Sequence, residues 1–156
     1  MQVNPGLSSL LNIPLEDLEQ AFALDVVAPL KLLQSLSSRL HKTRILFIGS
    51  YSSQTPRSHW SVYSIGKEAQ LIAARCLKKE TENLKVGIFY PGAVQTDIFQ
   101  SAVSKSIDEI PDQPDYQHFV DTNTVKTPIE AAKQICDFLV KSSDDEFVAS
   151  CNVNCA

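Results

Sequence analysis

A tyrosine and a lysine four positions apart, Tyr63 and Lys67, form the sharpest chemical feature of the sequence. On a helix, residues four apart lie on the same face, so the phenol and the ammonium are neighbours. A nearby positive charge stabilises phenolate over phenol and lowers the pKa of a tyrosine from about 10 towards neutral pH. The pair therefore predicts that Tyr63 is a general acid or base, although such a pair is also common among exposed helix neighbours.

The context of this pair strengthens the functional interpretation. Ser50 directly follows an apolar run at 45–48, which is typical of a strand buried on both faces. A second strand-like run, at 85–90, is stopped by Pro91 and Gly92. The carboxyl ends of parallel strands meet at one edge of a sheet. We therefore expect a hydroxyl donor, Ser50, and a tunable acid to meet there over one substrate atom.

The elements that must position these residues alternate along the chain. Apolar residues at steps of three and four predict helices, and continuous apolar runs predict buried strands. Pro29 lies inside the first helical pattern, so we expect that helix to bend near Asp25. The alternation is that of a parallel α/β architecture. The predicted helices are 14–40, 61–79 and 127–141, and the predicted strands are 44–48, 85–90 and 146–150.

The polar segment at 101–126 follows the end of a predicted strand. It contains two prolines and is predicted to be a long loop with room for a short helix. Open α/β sheets bind their ligands beyond the carboxyl ends of their strands. We therefore expect this segment to be a substrate lid rather than a linker.

Taken together, these motifs resemble the short-chain dehydrogenase/reductase family, and within it the classical, sepiapterin-reductase-like members. Ser50, Tyr63 and Lys67 match the family's serine, tyrosine and lysine in type, order and spacing. The segment 63–69 looks like the family's tyrosine helix, and 90–97 looks like its cofactor-binding loop. Asn4-Pro5-Gly6 is similar to the family's Asn-Ala-Gly, which ends its fourth strand.

The resemblance implies an oxidoreductase that reversibly transfers a hydride between NADP or NAD and a small carbonyl or alcohol substrate. Ser50 would hydrogen-bond the substrate oxygen. Tyr63 would give or take the proton, and Lys67 would lower the tyrosine pKa and bond the nicotinamide ribose. The cofactor-binding residues implied are Asn4, Gly6, Tyr63, Lys67, Pro91, Gly92, Val94 and Thr96.

One departure from the family pattern lies inside the implied catalytic set. The family has a fourth catalytic residue, an asparagine in the long helix before the serine strand, and Asp25 stands in its place. Aspartate keeps the acceptor oxygens, loses the amide donor and puts a negative charge near Lys67. We expect a weakened proton relay, with a merely solvated helix carboxylate as the alternative.

A second departure concerns glycine. The five glycines are isolated, and no Gly-rich phosphate-binding turn can be built from them. The family begins with such a turn, so the resemblance implies that 1–156 is a single partial domain lacking the N-terminal cofactor-binding third. The expected fold is a Rossmann-like parallel sheet with helices on both faces, reduced to about its last four strands. Dinucleotide binding is expected to be very weak.

Composition excludes several other classes. A net charge of -4 without a basic run argues against nucleic-acid binding. No apolar stretch approaches the roughly 20 residues of a membrane helix, and no signal peptide is visible, so a cytoplasmic location is expected. No metal site is predicted, and Cys76 and Cys136 are expected to be small buried residues in helices. The sequence after Ser50 lacks the glycine of a hydrolase nucleophile elbow.

A different class of function stays open, namely a non-catalytic interaction module. In the family, the long helix and the tyrosine helix form the interface between subunits. Both are present here, at 14–40 and 61–79, and they imply a homodimer or tetramer. Trp60 and Tyr51 are candidates for walls of a substrate pocket or for core packing.

Overall fold

A computed structural model of the chain describes residues 8–152. Two strands, β1 (Arg44–Ile48) and β2 (Lys85–Phe89), pair in parallel, with Arg44 opposite Lys85 and Ile48 opposite Phe89. The helices are α1 (Leu15–Phe22), α2 (Ala28–Leu36), α3 (Ser61–Glu80), α4 (Asp97–Val103), α5 (Gln113–Asp121), α6 (Pro128–Lys141) and α7 (Asp144–Ala149). A π-helical segment, Ala23–Val27, joins α1 to α2.

Helices cover both faces of this sheet. Val86 and Ile88 are buried in a core cluster with Leu71 of α3. Side chains alternate along a strand, so position 87, between them, lies on the sheet face opposite α3. There the ring of Phe147, in α7, lies against its backbone. The predicted Rossmann-like α/β class is therefore confirmed.

The close approach at Gly87 gives a stability prediction. A Cβ at this position would lie 2.9 Å from the Phe147 ring and 3.0 Å from the Phe147 carbonyl oxygen, both well fixed. Gly87→Ala is therefore expected to lower the free energy of unfolding by about 1–3 kcal/mol, measured by urea denaturation. Gly66→Ala is the matched control, since its methyl meets the tip of one flexible side chain. Equal stability of Gly87→Ala and the unchanged chain would contradict the packing.

The predicted last strand, 146–150, is wrong, because this segment is α7 followed by a 3₁₀ turn. Ser143 accepts a hydrogen bond from the backbone N–H of Glu146 at 3.2 Å, and the Glu146 carboxylate accepts one from the Ser143 N–H at 2.9 Å. This capping box, with three acidic residues in the first turn, favours a helix start over a strand. The predicted strand end at Asn4 and Gly6 lies outside the described residues.

The predicted irregularity in the first helix is confirmed. The regular helix ends at Phe22, and the π-helical segment carries the chain past Asp25 before α2 begins. Pro29 has no N–H to donate to the Asp25 carbonyl one turn earlier, which accounts for the break at this place. The predicted helices at 61–79 and 127–141 correspond to α3 and α6. Every helix within residues 8–152 is too short or too polar to span a bilayer.

The segment at 101–126 is more regular than the predicted loop. It contains the end of α4 and the whole of α5, and Pro114 lies in the first turn of α5. Ile110 and Tyr116 are buried, so the segment is anchored to the rest of the fold. The short helix for which the sequence left room is therefore present as α5, with Tyr116, Phe119 and Val120 at helical spacing.

The cysteines are arranged differently from the prediction. Cys76 and Cys136 are exposed on their helices, whereas Cys151 is buried in the core cluster. Burial raises the pKa of the Cys151 thiol, against the opposing effects of Lys78 and Arg75. We expect a thiol reagent to label Cys76 and Cys136 quickly and Cys151 only after unfolding, as read by peptide mass spectrometry. Labelling of Cys151 as fast as Cys76 would contradict its burial.

Candidate active site

The predicted site residues surround one pocket of about 470 Å³ at the carboxyl ends of β1 and β2. Side chains of α3, α4, α5 and α6 complete its walls. Asp25 lies behind the wall, against Lys67. Asn4 and Gly6 fall outside the described residues. The predicted residues that line the pocket are Ser50, Tyr63, Lys67, Pro91, Gly92, Val94 and Thr96.

Ser50 and Tyr63 both line the pocket. Ser50 has an extended backbone where the chain leaves β1, and its hydroxyl oxygen accepts a hydrogen bond from the Ser52 N–H at 3.3 Å, which starts a 3₁₀ turn. The same hydroxyl is close enough to the Tyr63 phenol, in the first turn of α3, to lower the pKa of that phenol. A strand end and a helix start thus bring a hydroxyl donor and a phenol to one point, as the sequence predicts.

Lys67 lies on the same face of α3 as Tyr63, but its charge is shared with another partner. Its Nζ lies 6.0 Å from the centroid of the Tyr63 ring and 3.7 Å from Asp25 Oδ1. It also donates to Gln70 Oε1 at 3.4 Å. The Lys67 and Asp25 side chains are only 18% and 19% exposed, so water screens this ion pair incompletely. Asp25 is therefore not the solvated helix carboxylate of the alternative interpretation.

The expected lowering of the tyrosine pKa is wrong for this arrangement. Burial raises the pKa of the Tyr63 phenol; the Ser50 hydrogen bond acts in the opposite direction, and the Asp25 charge raises the pKa further. The prediction from four-residue spacing took account of the lysine charge alone. The negative charge that Asp25 was expected to put near Lys67 is present at 3.7 Å, and together with burial it raises the Tyr63 pKa.

Gly66 allows Asp25 to reach Lys67. A Cβ on Gly66 would lie 2.8 Å from Asp25 Oδ2, so the carboxylate occupies the space that a side chain would need. Gly66 is buried at the contact between α3 and the π-helical segment. No sequence pattern connects a glycine at position 66 with Asp25, and this relation was missed.

Lys126, which was not predicted as a site residue, anchors the loop after β2. Lys126 Nζ donates to the Pro91 carbonyl oxygen at 2.7 Å, and the Lys126 backbone bridges to Val94. Gly92 has a φ of 79°, a conformation that favours glycine. The Thr96 hydroxyl accepts from the Phe99 N–H at 3.4 Å and caps α4. These contacts fix the conformation of the loop, which places Pro91, Gly92, Val94 and Thr96 at the pocket.

Aromatic and aliphatic side chains form most of the remaining walls. Trp60 is both a buried core residue and part of the pocket, so its two interpretations hold together. Its ring stacks on Tyr116 at 5.5 Å and meets the edge of Tyr63 at 5.7 Å. Arg57 also lines the pocket. Tyr116 and Arg57 were not predicted, since the polar segment at 101–126 and the strand-to-helix loop carry no spacing that marks them.

Comparisons with known proteins agree with this architecture. The family model described as short chain dehydrogenase matches residues 3–107, more than half of the chain. None of the curated proteins matches the chain.

Three solved structures share the fold at low identity. The KRED1-Pglu enzyme superposes with a TM-score of 0.81 at 18% identity, over 93% of this chain and 64% of its own. A short chain dehydrogenase/reductase from Saccharomyces cerevisiae gives 0.71 at 17% identity, over 81% and 51%. The TT0495 protein from Thermus thermophilus gives 0.67 at 20%, over 83% and 56%. The chain thus spans less than two thirds of the length of each of these structures. Because the family model matches more than half of it, the chain belongs to the short chain dehydrogenase family.

Proposed function

We propose that this chain carries the catalytic part of an NAD(P)-dependent oxidoreductase that reduces a carbonyl or oxidises an alcohol, with Tyr63 as the acid or base. The observation that carries the proposal is that the Ser50 hydroxyl and the Tyr63 phenol line one pocket at the strand ends, where Ser50 acts on the phenol pKa. Both groups can reach one substrate oxygen there.

In the reducing direction, the carbonyl carbon gains a hydride and the carbonyl oxygen gains a proton. Tyr63 gives that proton, and the Ser50 hydroxyl stabilises the negative charge that develops on the oxygen. In the oxidising direction, Tyr63 takes the proton of the alcohol. Because its pKa is raised, the phenol form is the resting one at neutral pH, and this favours the acid role.

The residues around the pocket fit the nicotinamide end of NADP or NAD, which supplies or accepts the hydride. Gly92 leaves open space, since a Cβ there would meet nothing nearer than Lys126 Nζ at 3.5 Å. Pro91, Val94 and Thr96 would line the nicotinamide side, and Lys67 would bond the ribose. The five isolated glycines provide no loop for the diphosphate.

The cofactor fit leads to a binding prediction. With contacts to the nicotinamide end and no phosphate-binding turn, the chain is expected to bind NADPH and NADH with dissociation constants far weaker than micromolar. Titration calorimetry measures this, with reduced nicotinamide mononucleotide as the matched ligand that lacks the adenosine part. Similar weak affinities for all three ligands are expected. Micromolar or tighter binding of a dinucleotide would contradict the prediction.

The activity itself is tested by the carbonyl-dependent loss of reduced-nicotinamide absorbance at high cofactor concentration. Consumption above the protein-free rate, dependent on both the carbonyl compound and the protein, is expected. Dependence on the cofactor alone would count against the proposed reaction.

A second candidate function is self-association, with or without catalysis. Leu24 and Val27 of the π-helical segment and Ile65 and Ile72 of α3 are exposed on two segments that pack together. A second copy of the chain would bury this apolar surface. Ile72→Lys is expected to shift a dimer to a monomer in size-exclusion chromatography with light scattering, whereas Ile129→Lys, on exposed α6, is not. A clean monomer of the unchanged chain at high concentration would contradict this candidate.

A further inference from the structure

The charges around the pocket are compensated from outside it. Among the described residues, two charged side chains line the pocket, Arg57 and Lys67. Lys67 faces Asp25 at 3.7 Å, and Arg57 Nη1 faces Asp115 Oδ2 at 3.0 Å. Neither carboxylate is itself a lining residue. Each of the two lining cations is therefore paired with a carboxylate that lies outside the lining.

The ion pair of Arg57 with Asp115 connects the strand-to-helix loop to α5. The guanidinium lies over the Tyr116 ring, 5.4 Å from its centroid, and its side chain is 18% exposed. The next residue, Ser58, donates its backbone N–H to Asp112 at 2.8 Å. The cation–π contact and the ion pair together hold the guanidinium at the wall. A substrate anion would have to compete with Asp115 for this group.

The rest of the wall offers apolar rings. Trp60 and Tyr116 stack, and Phe99 meets Tyr116 edge-on at 6.1 Å. Burial raises the pKa of Tyr116 to about 12, against the opposing charge of Arg57. The phenol is therefore uncharged at neutral pH. Flat aromatic ligands pack favourably on such rings.

We propose that the pocket takes an uncharged aromatic carbonyl compound, or the matching alcohol, and that Asp115 sets this preference by neutralising Arg57. The proposal rests on the proposed function for the identity of the reacting group. Asp115 is 64% exposed at the outer side of α5, so it acts on Arg57 rather than on the substrate. Its removal leaves an uncompensated cation at the pocket wall, which an anionic substrate can use.

The test compares two probes that differ by one charge, acetylnaphthalene and acetylnaphthoate. Binding is measured by calorimetry and by quenching of the single tryptophan, Trp60, in the pocket wall. Neither readout needs cofactor or turnover, so the result is independent of whether the chain transfers a hydride. The unchanged chain is expected to bind the neutral ketone about tenfold more tightly, since the anion must be desolvated against a neutral wall.

Three variants separate the role of Asp115 from a general effect. Asp115→Asn is expected to strengthen acetylnaphthoate binding by about fivefold and to leave acetylnaphthalene binding nearly unchanged. The double change Arg57→Gln with Asp115→Asn removes both charges and is expected to restore the preference of the unchanged chain. Asp121→Asn, on α5 and outside the pocket lining, is the matched control and should change neither affinity.

The results that overturn the proposal are equally defined. Equal or tighter binding of the anion by the unchanged chain would show that the wall is not neutral. Absence of acetylnaphthalene binding up to its solubility would exclude the aromatic class. Asp115→Asn without effect on the anion would remove Asp115 as the specificity residue. None of these results bears on Tyr63, whose role is tested by turnover.

Discussion

Replacing Asp25 by asparagine is expected to lower the pKa of Tyr63 and to speed alcohol oxidation at a fixed pH by about fivefold, the upper range for a partly exposed ion pair. The Asp25 charge raises the tyrosine pKa, and Asp25 lies 3.7 Å from Lys67. Removing that charge leaves the Lys67 ammonium uncompensated beside the phenol. At any pH below the tyrosine pKa, the fraction of phenolate then rises.

The two reaction directions should respond differently. Oxidation needs phenolate as the base, so its rate rises with the phenolate fraction. In the Asp25→Asn variant, the increase of the oxidation rate with pH should therefore occur at lower pH. Reduction needs the protonated phenol, which is already the dominant form at neutral pH, so its rate should change little. Asp25→Asn with unchanged oxidation and an unchanged pH profile would contradict the role given to Asp25.

The tyrosine titration can be followed without turnover. The ultraviolet absorbance of tyrosinate is recorded against pH for the chain and for Asp25→Asn, and the same curves in a Tyr63→Phe background are subtracted. This removes the other three tyrosines of the chain. Asp25→Asn is expected to shift the difference curve to lower pH.

Gly66→Ala is a second way to disturb the same pair. The new methyl group would lie 2.8 Å from Asp25 Oδ2, and the carboxylate, at the end of a flexible side chain, must turn away from it. The tyrosine curve should then shift in the same direction as with Asp25→Asn. An alanine also gains about 1 kcal/mol of helix propensity over glycine, so the fold should tolerate the change.

Removing the phenol oxygen is expected to have the largest effect on turnover. Tyr63→Phe keeps the ring that packs against Trp60 but deletes the proton donor beside Ser50. The carbonyl-dependent rate should fall by about 10²–10⁴-fold, the range for a lost general acid. The effect should lie mainly in kcat, because the pocket shape is retained.

Tyr51→Phe is the matched control for this change. Tyr51, the residue after Ser50, also lines the pocket. Its half-exposed ring contacts the ring of Tyr90. Its loss should change the rate by less than about threefold, within the range of surface substitutions. Equal losses in both variants would show that Tyr63 acts through packing and not through its hydroxyl.

The sequence predicted those parts of the site that rest on local spacing. Four positions on a helix place Tyr63 beside Lys67, and a buried strand that ends at Ser50 must deliver it to the sheet edge. The helix at 127–141 was predicted correctly and starts with a capping box, whereas the segment after a similar box at Ser143 was predicted to be a strand because of its apolar residues. Short apolar runs do not separate a buried helix from a strand.

The parts that could not be predicted depend on contacts between distant segments. The pKa of Tyr63 depends on a carboxylate from the π-helical segment and on burial, neither of which four-residue spacing contains. The neutral pocket wall depends on Asp115 meeting Arg57 across more than fifty residues of chain. Lys126 holds the loop after β2 for the same kind of reason. Such pairs are set by tertiary packing.

The transfer of deuterium from reduced cofactor labelled at the reacting carbon tests the central claim most directly. The chain is incubated with the labelled cofactor at high concentration and an uncharged aromatic ketone, and the alcohol is analysed by mass spectrometry. We expect one deuterium on the carbinol carbon with the unchanged chain, and a strongly reduced amount with Tyr63→Phe. Unlabelled alcohol, no alcohol, or equal labelling by both proteins would contradict hydride transfer assisted by Tyr63.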